Sequence, residues 1–249
     1  MNQDIMRIFG LIGYPLSHTF SPTYFNEKFF REGIEGCNYQ AFPLQNITDF
    51  ENLLQNTPNL QGLNVTIPYK EAVLPLLDEI SEEAKQVGAV NTIRIDKDGK
   101  KTGFNTDVYG FENSLKPLLK AHHQKALILG TGGASKAIVY VLQKLGIIPQ
   151  LVSRNPSENQ LKYDDIDEQT MNTHHLIINT TPLGMSPKIH DFPDLPYQFA
   201  NEKHLFFDLV YNPQKTIFLI KGKLKGADFK NGLEMLYLQA ERAWEIWNE

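Results

Sequence analysis

The feature that most constrains this chain is a strand–glycine–helix–strand stretch at residues 125–155. Ala126 to Leu129 is a short unbroken apolar run, the pattern of a parallel strand buried on both faces. Gly130, Gly132 and Gly133 follow at once. Ala134, Ala137, Ile138, Val141, Leu142 and Leu145 then recur at helical spacing until Gly146 stops the helix. Leu151 and Val152 start the next strand. A βαβ unit with a glycine-rich first turn presents backbone N–H groups at a helix N-terminus, where a dinucleotide pyrophosphate can sit. The turn reads G-x-G-G-A-S, so Ser135 stands where the dinucleotide fingerprint has a third Gly or Ala. From the glycines alone, a tight turn with no ligand is the alternative. The second strand end bears on the choice. An NAD site has an Asp or Glu about 20 residues past the glycines, bonded to the ribose 2′-hydroxyl. Here Ser153, Arg154 and Asn155 occupy that place without a carboxylate. A guanidinium pairs bidentately with a 2′-phosphate, which an Asp would repel, so the nucleotide read here is NADP.

A chain of 249 residues can bury a substantial core as one large or two modest α/β domains. Its net charge of −5 offers no global attraction to nucleic acid or anionic lipid. A single cysteine, Cys37, excludes an internal disulfide framework and fits a reducing compartment. Residues 1–20 carry Asp4 and Arg7 around a short apolar run, unlike a signal peptide, and no stretch approaches the roughly 20 apolar residues of a membrane span. The expected address is the cytoplasm and the expected partner a small molecule, with no nucleic acid or membrane.

Ahead of the nucleotide unit, Arg7 to Ile12 reads as a strand, and Gly13 to Pro22 as a loop rich in turn formers and hydroxyls. Ser21-Pro22 has the form of a helix cap followed by Pro at the first helical position. Such a hydroxyl, with the free N–H groups beside it, can also receive a carboxylate. Asn38 to Phe42 is a second strand, Ile47 to Leu54 a helix, and Leu63 to Ile67 a strand ending at Pro68, in which Asn64 and Thr66 share a face. Lys70 follows at the C-terminal end of that strand, where open α/β sheets bind ligands, although a lysine there can also be a solvated residue of a first helical turn. Ser81 to Gly88 is a short helix, and Asp98-Gly99 carries a two-residue hairpin signal. Asp107 reads as the N-cap of a helix to about Leu119. Beyond the nucleotide unit, Leu176 to Ile178 and Leu205 to Val210 are strands, Thr216 to Lys221 is helical, and residues 233–248 form a last helix whose apolar stripe includes Trp244 and Trp247. His122-His123 and His174-His175 read as surface or loop pairs, and the seven histidines show no metal-ligand spacing.

Together these stretches resemble the shikimate dehydrogenases, NADP-dependent oxidoreductases of aromatic amino-acid biosynthesis. The likeness runs through G-Y-P-L-S-H-T-F-S-P (13–22), N-V-T-I-P-Y-K (64–70), G-A-V-N-T (88–92) and G-F-N-T-D-V-Y-G-F (103–111). It continues in G-T-G-G-A-S (130–135), S-R-N (153–155), N-T-T-P-L-G-M (179–185), D-L-V-Y-N-P (208–213) and G-L-E-M-L-Y-L-Q-A (232–240).

The resemblance implies two α/β domains with the active site in a cleft between them. One is a substrate domain, residues 1–107 completed by helix 233–249; the other is a Rossmann-like, doubly wound NADP domain, residues 108–232. It implies Lys70 and Asp107 as the catalytic pair, and Thr19 and Ser21 on the substrate carboxylate. Asn64, Thr66, Asn91, Tyr211 and Gln239 complete the implied substrate site. Gly130, Thr131, Gly132, Gly133 and Ala134 would cradle the pyrophosphate, Ser153, Arg154 and Asn155 the 2′-phosphate, and Thr181, Leu183, Gly184 and Met185 would lie by the nicotinamide. No metal is implied, and the assembly expected is a monomer or homodimer. Thr19 replaces the family's usual serine, S-R-N stands where N-R-T or N-R-S is common, and the stretch 155–175 is lean. The implied reaction is the reversible reduction of 3-dehydroshikimate by NADPH. A quinate/shikimate dehydrogenase of broader substrate or cofactor use, a non-catalytic ligand-sensing module and a nucleotide-binding structural protein are the alternatives.

Overall fold

The computed structural model describes residues 6–16 and 19–249; Ser17 and His18 of the predicted hydroxyl-rich loop lie outside the described residues, as do residues 1–5 with Asp4. The chain divides into two compact units, one made of the residues up to Thr106 together with Ala240–Glu249, the other of Asp107–Gln239.

The first unit is built on a six-stranded sheet, β1 (Arg7–Gly13), β2 (Cys37–Pro43), β3 (Leu60–Val65), β4 (Glu79–Ile80), β5 (Thr92–Ile95) and β6 (Lys101–Phe104), in the order β2-β1-β3-β5-β6-β4. β1 runs parallel to β2 and β3, whereas β5 is antiparallel to both β3 and β6. Alternation along β1 serves two cores: Phe9 and Leu11 enter one apolar cluster, Ile8 and Ile12 another. The first cluster gathers Tyr24, Phe25 and Phe29 of α1 (Phe20–Glu32) with Ala240, Ala243 and Trp247. Phe9 stacks on Trp247 at 5.0 Å, and the indole Nε1 donates to the Ile93 carbonyl at 3.0 Å. The second cluster packs under α2 (Phe50–Asn56), α3 (Tyr69–Ala72) and α4 (Glu82–Val87), with Ser81 capping α4 through the Ala84 N–H.

The second unit carries five parallel strands, β7 (Lys125–Leu129), β8 (Ile148–Val152), β9 (Leu176–Asn179), β10 (Leu205–Asp208) and β11 (Asp228–Asn231), in the order β11-β10-β9-β7-β8. From β7 the chain turns first to β8 on one side and then to β9 on the other. The carboxyl ends of β7 and β9 therefore form the switch point at which open parallel sheets bind ligands. α5 (Thr106–Leu115), α6 (Gly133–Lys144), α7 (Glu168–Thr173), α8 (Ile217–Lys223) and α9 (Leu233–Asn248) complete the helices. The division between the units runs through α9, between Gln239 and Ala240. Among the described residues no helix is long and apolar enough to cross a membrane.

Several local readings change. Helix α1 starts at Phe20, so Thr19 is its N-cap and Ser21 lies inside its first turn. Asp107 is likewise inside the first turn of α5, which starts at Thr106. β3 ends at Val65, two residues before the expected Ile67, which takes Thr66 off the strand and ends the shared face with Asn64. The Asp98-Gly99 turn is wider than a two-residue hairpin, closed by Asp96 N–H donating to the Lys100 carbonyl at 3.0 Å. β8 begins at Ile148, because Pro149 lies on an edge strand where a missing N–H is tolerated. The histidine pairs do lie in loops, but they are packed rather than solvated: His123 is buried, and the rings of His123, His122, His175 and His204 follow one another with centroids 4.5 to 5.5 Å apart. His122 and His123 both donate to the Lys203 carbonyl, a partner that a local reading does not reveal.

Candidate active site

The nucleotide end of the second unit begins where β7 stops. Gly130 turns the chain with φ +104°, a region that side chains avoid, and a Cβ there would sit 2.9 Å from Thr181 Cγ2. Gly132 caps α6 with extended backbone, and a Cβ placed on it meets nothing within 4 Å, so open space lies against the start of the helix. Thr131 and Gly132 are exposed, with Gly133 and Ala134 half-buried behind them. Ser135, the residue that departs from the fingerprint, is buried and donates its hydroxyl to the Gly132 carbonyl at 2.6 Å. A small hydroxyl side chain thus fits where the fingerprint keeps a small residue for close helix–strand packing.

Past β8, the Ser153 hydroxyl accepts from the Asn155 N–H at 3.2 Å, and Arg154 is exposed. Arg154 forms no ion pair or hydrogen bond among the described residues. Its charge acts on the neighbouring Tyr163 phenol, which burial raises and the guanidinium lowers. A free N-terminal helix turn, open space beside Gly132 and an unpaired guanidinium at the second strand end fit a 2′-phosphorylated dinucleotide.

On the other side of the switch point, β9 ends in Asn179, whose Oδ1 accepts from both Thr181 N (3.0 Å) and Thr181 Oγ1 (2.6 Å). Thr181 Oγ1 in turn accepts from Leu183 N at 3.3 Å, and Gly184 is buried with φ +88°. Met185 is exposed. Tyr211 is half-buried, and burial raises its phenol above the usual range.

In the first unit a chain of polar side chains runs under the sheet end. The Tyr39 hydroxyl donates to Asn64 Oδ1 at 2.7 Å, and Asn64 Nδ2 points at the Asn91 carbonyl and at Thr92 Oγ1. Asn91 Oδ1 accepts from Thr106 N at 2.7 Å and from the hydroxyls of Thr92 and Thr106. A backbone N–H needs an oxygen opposite it, so this contact fixes the Asn91 amide with Nδ2 as its uncommitted end. Tyr39 is buried and its phenol is pushed far up by desolvation, against which the adjacent Ser21 hydroxyl works. Sequence reasoning missed Tyr39, because nothing local marks a strand tyrosine as the link between Ser21 and Asn64. Thr19 is half-buried, and its side chain makes no capping hydrogen bond. Thr66 and Lys70 are half-buried; the Lys70 carbonyl accepts from Val90 N at 2.8 Å, and Tyr69 anchors the turn by donating to the Leu44 carbonyl.

The structure therefore brings Ser21, Asn64 and Asn91 into one network, while Asp107 and Gln239 belong with the second unit. Both are buried, and the helices that carry them touch at Gly110, where a Cβ would come within 2.5 Å of the Met235 carbonyl and 3.1 Å of Gln239 Cβ. The glycine sits one turn beyond Asp107, so the close crossing sets Asp107 and Gln239 on neighbouring helices.

The model of the shikimate dehydrogenase substrate binding domain matches residues 11–93. The shikimate dehydrogenase (NADP(+)) of Carboxydothermus hydrogenoformans is 38% identical over 263 residues, covering 97% of this chain and 91% of that protein. Among solved structures, shikimate 5-dehydrogenase from Thermus thermophilus in complex with NADP(H) and shikimate superposes with a TM-score of 0.85 at 31% identity, over 97% of this chain and 93% of the other. Quinate dehydrogenase from Corynebacterium glutamicum in complex with NAD superposes with a TM-score of 0.86 at 29% identity, again over 97% and 93%.

Proposed function

The chain belongs to the shikimate dehydrogenase family of NADP-dependent oxidoreductases, and we propose that it interconverts 3-dehydroshikimate and shikimate with Lys70 and Asp107 as its catalytic pair. NADP, when bound, supplies the hydride chemistry at the ring carbon. Gly130, Thr131, Gly132, Gly133 and Ala134 hold its pyrophosphate on the free turn of α6, and Ser153, Arg154 and Asn155 hold the 2′-phosphate. The first unit acts as the substrate domain and the second as the cofactor domain.

The protein's own part is placement and proton handling. Thr19 and Ser21, at the start of α1, bind the substrate carboxylate, assisted by the helix N-terminus. Thr66, Lys70, Asn91, Asp107 and Gln239 hold the ring hydroxyls, Asn91 through the amide nitrogen that its own fold leaves uncommitted, while Asn64 and Tyr211 complete the substrate site. The Lys70 ammonium polarises the ketone and protonates the alkoxide as it forms; Asp107 holds that ammonium and relays a proton from solvent back to the neutral amine. Thr181, Leu183, Gly184 and Met185 lie by the nicotinamide. Cys37, a half-buried thiol, fits a reducing compartment, and we place the protein in the cytoplasm, as a monomer or homodimer.

The observation that carries the reading is the nucleotide turn with its unpaired Arg154, since an NAD site would put a carboxylate there. It is tested by initial rates with shikimate and with quinate, each with NADP and with NAD. Shikimate with NADP should be fastest. No turnover of shikimate would overturn the assignment, and quinate with NAD as the preferred pair would move the chain to the broader-specificity branch.

A further inference from the structure

The ends of β9 and β10 hold a group for which the mechanism has no use. Asp208 is fully buried, directly beside Asn179 in the parallel register. Its Oδ1 accepts from Asn179 Nδ2 at 2.9 Å and from Val210 N at 3.0 Å, and its Oδ2 accepts from Thr216 Oγ1 at 2.5 Å. Each partner belongs to a different piece of the carboxyl edge of the sheet. Asn179 organises Thr181 and, through it, the Leu183 N–H. Val210 opens the loop to Tyr211, and Thr216 caps α8 while packing 3.2 Å from the Cβ position of Gly184. A second tie runs directly between the loops, Ser186 N–H donating to the Asn212 carbonyl at 3.2 Å.

We propose that Asp208, which touches neither ligand, is a positioning residue: it binds the loops 179–186 and 209–216 into one shelf and so sets where the nicotinamide end of the cofactor is held. The inference rests on the cofactor assignment above. Burying a carboxylate is costly and a packed apolar pair can close a sheet edge as well, so the group is better explained by what it orients than by stability. Burial pushes the carboxyl up to about 6, and its three donors work against that rise.

The shelf faces one half of the cofactor only, and that makes the inference separable. Binding of NADPH and of 2′,5′-ADP, which carries the 2′-phosphate but no nicotinamide, is to be measured by calorimetry on the full chain and on Asp208→Ala. A surface that no longer meets its ligand loses about one hydrogen bond's worth of binding, roughly tenfold. NADPH affinity should fall by about tenfold, with 2′,5′-ADP held within about twofold. A primary deuterium isotope effect with shikimate labelled at the reacting carbon should rise as hydride transfer becomes slower than release. Asp208→Asn keeps the Oδ1 contacts and should recover most of the loss. If the alanine variant fails to fold, Thr216→Val removes the Oδ2 donor together with the α8 cap, spares the Oδ1 contacts, and should weaken NADPH selectively by a few-fold. Equal weakening of both nucleotides, or no change in either, overturns the inference. Wild-type protein that binds both nucleotides but leaves shikimate untouched would sink the proposed reaction without touching Asp208. Wild-type protein that binds neither nucleotide would end both.

Discussion

Replacing Tyr39 by phenylalanine removes one oxygen from the centre of the first unit. The ring is stacked on Phe25 at 4.7 Å with planes 14° apart, so phenylalanine occupies the same place and the change is confined to the hydroxyl. Asn64 Oδ1 then loses its donor, and no second hydrogen bond to that atom exists among the described residues. Asn64 is 5% exposed, which keeps water from replacing the phenol. A buried acceptor left unmade costs about 1–3 kcal/mol. Both tryptophans lie in Ala240–Glu249, and Trp247 packs 6.2 Å from the Tyr39 ring, so urea unfolding followed by indole fluorescence reads this unit. The loss has a functional share, because Asn64 holds Asn91 and Thr92, and Ser21 leans on the same phenol. If about 1–2 kcal/mol of it reaches the bound state, KM for shikimate rises by about 5- to 30-fold, every 1.4 kcal/mol being about tenfold. KM for NADP should stay put, because Gly130 to Asn155 belong to the other unit. A variant with unchanged shikimate KM but lowered stability would reduce Tyr39 to a core residue. One unchanged in both would refute the reasoning about the network.

Lys70→Met keeps most of the side-chain bulk and should lower turnover by about 10²–10⁴-fold with a much smaller change in KM for shikimate, the mark of a lost general acid–base group; turnover within about threefold of wild type would falsify the mechanism. Asp107→Asn should be comparably severe, and the double variant little worse than the worse single, which a steady-state double-mutant cycle would show. Arg154→Ala should raise KM for NADP by roughly ten- to a hundredfold, the worth of a charge-assisted bidentate contact, while leaving KM for NAD nearly unchanged. For Asp208 the folded pKa of about 6 lies above the ordinary carboxylate value, so its contribution to stability is full in acid and is lost as pH rises through about 6. Two pH units correspond to about 3 kcal/mol. Wild type should therefore gain on Asp208→Asn as pH falls from 7 to 4 in chemical denaturation followed by circular dichroism, and a flat difference would count against the burial argument.

The glycine turn and the last helix were legible because their signals are local: an apolar run, three glycines and a stripe at helical spacing. What escaped was decided by distant partners. β4 and β11 are short, with charged residues at Glu79, Asp228 and Lys230, and only pairing with β6 and β10 makes them strands. The caps were misjudged by one or two residues because Ser21 and Asp107 carry the side chains of a cap, yet the backbone turns helical before them. Asp208 reads as an interior residue of a strand from Leu205 to Val210, whereas the strand ends at it, and its work depends on Asn179 and Thr216 arriving beside it. The residue types of the candidate site were readable; the bonds that orient Asn64, Asn91 and Thr181 were not, since each joins elements far apart in sequence.

The division of the chain through α9 has a consequence for its synthesis. Trp247 stacks on Phe9 and bonds to the Ile93 carbonyl, yet everything from Asp107 to Gln239 is translated between those partners. At about 5–20 residues per second, the first unit waits on the order of ten seconds with its Phe9, Phe25 and Phe29 surface uncovered. The parallel sheet of the second unit is contiguous and can close first. On the ribosome the half made first is thus the half finished last, and its aromatic surface is the one a nascent-chain chaperone would meet.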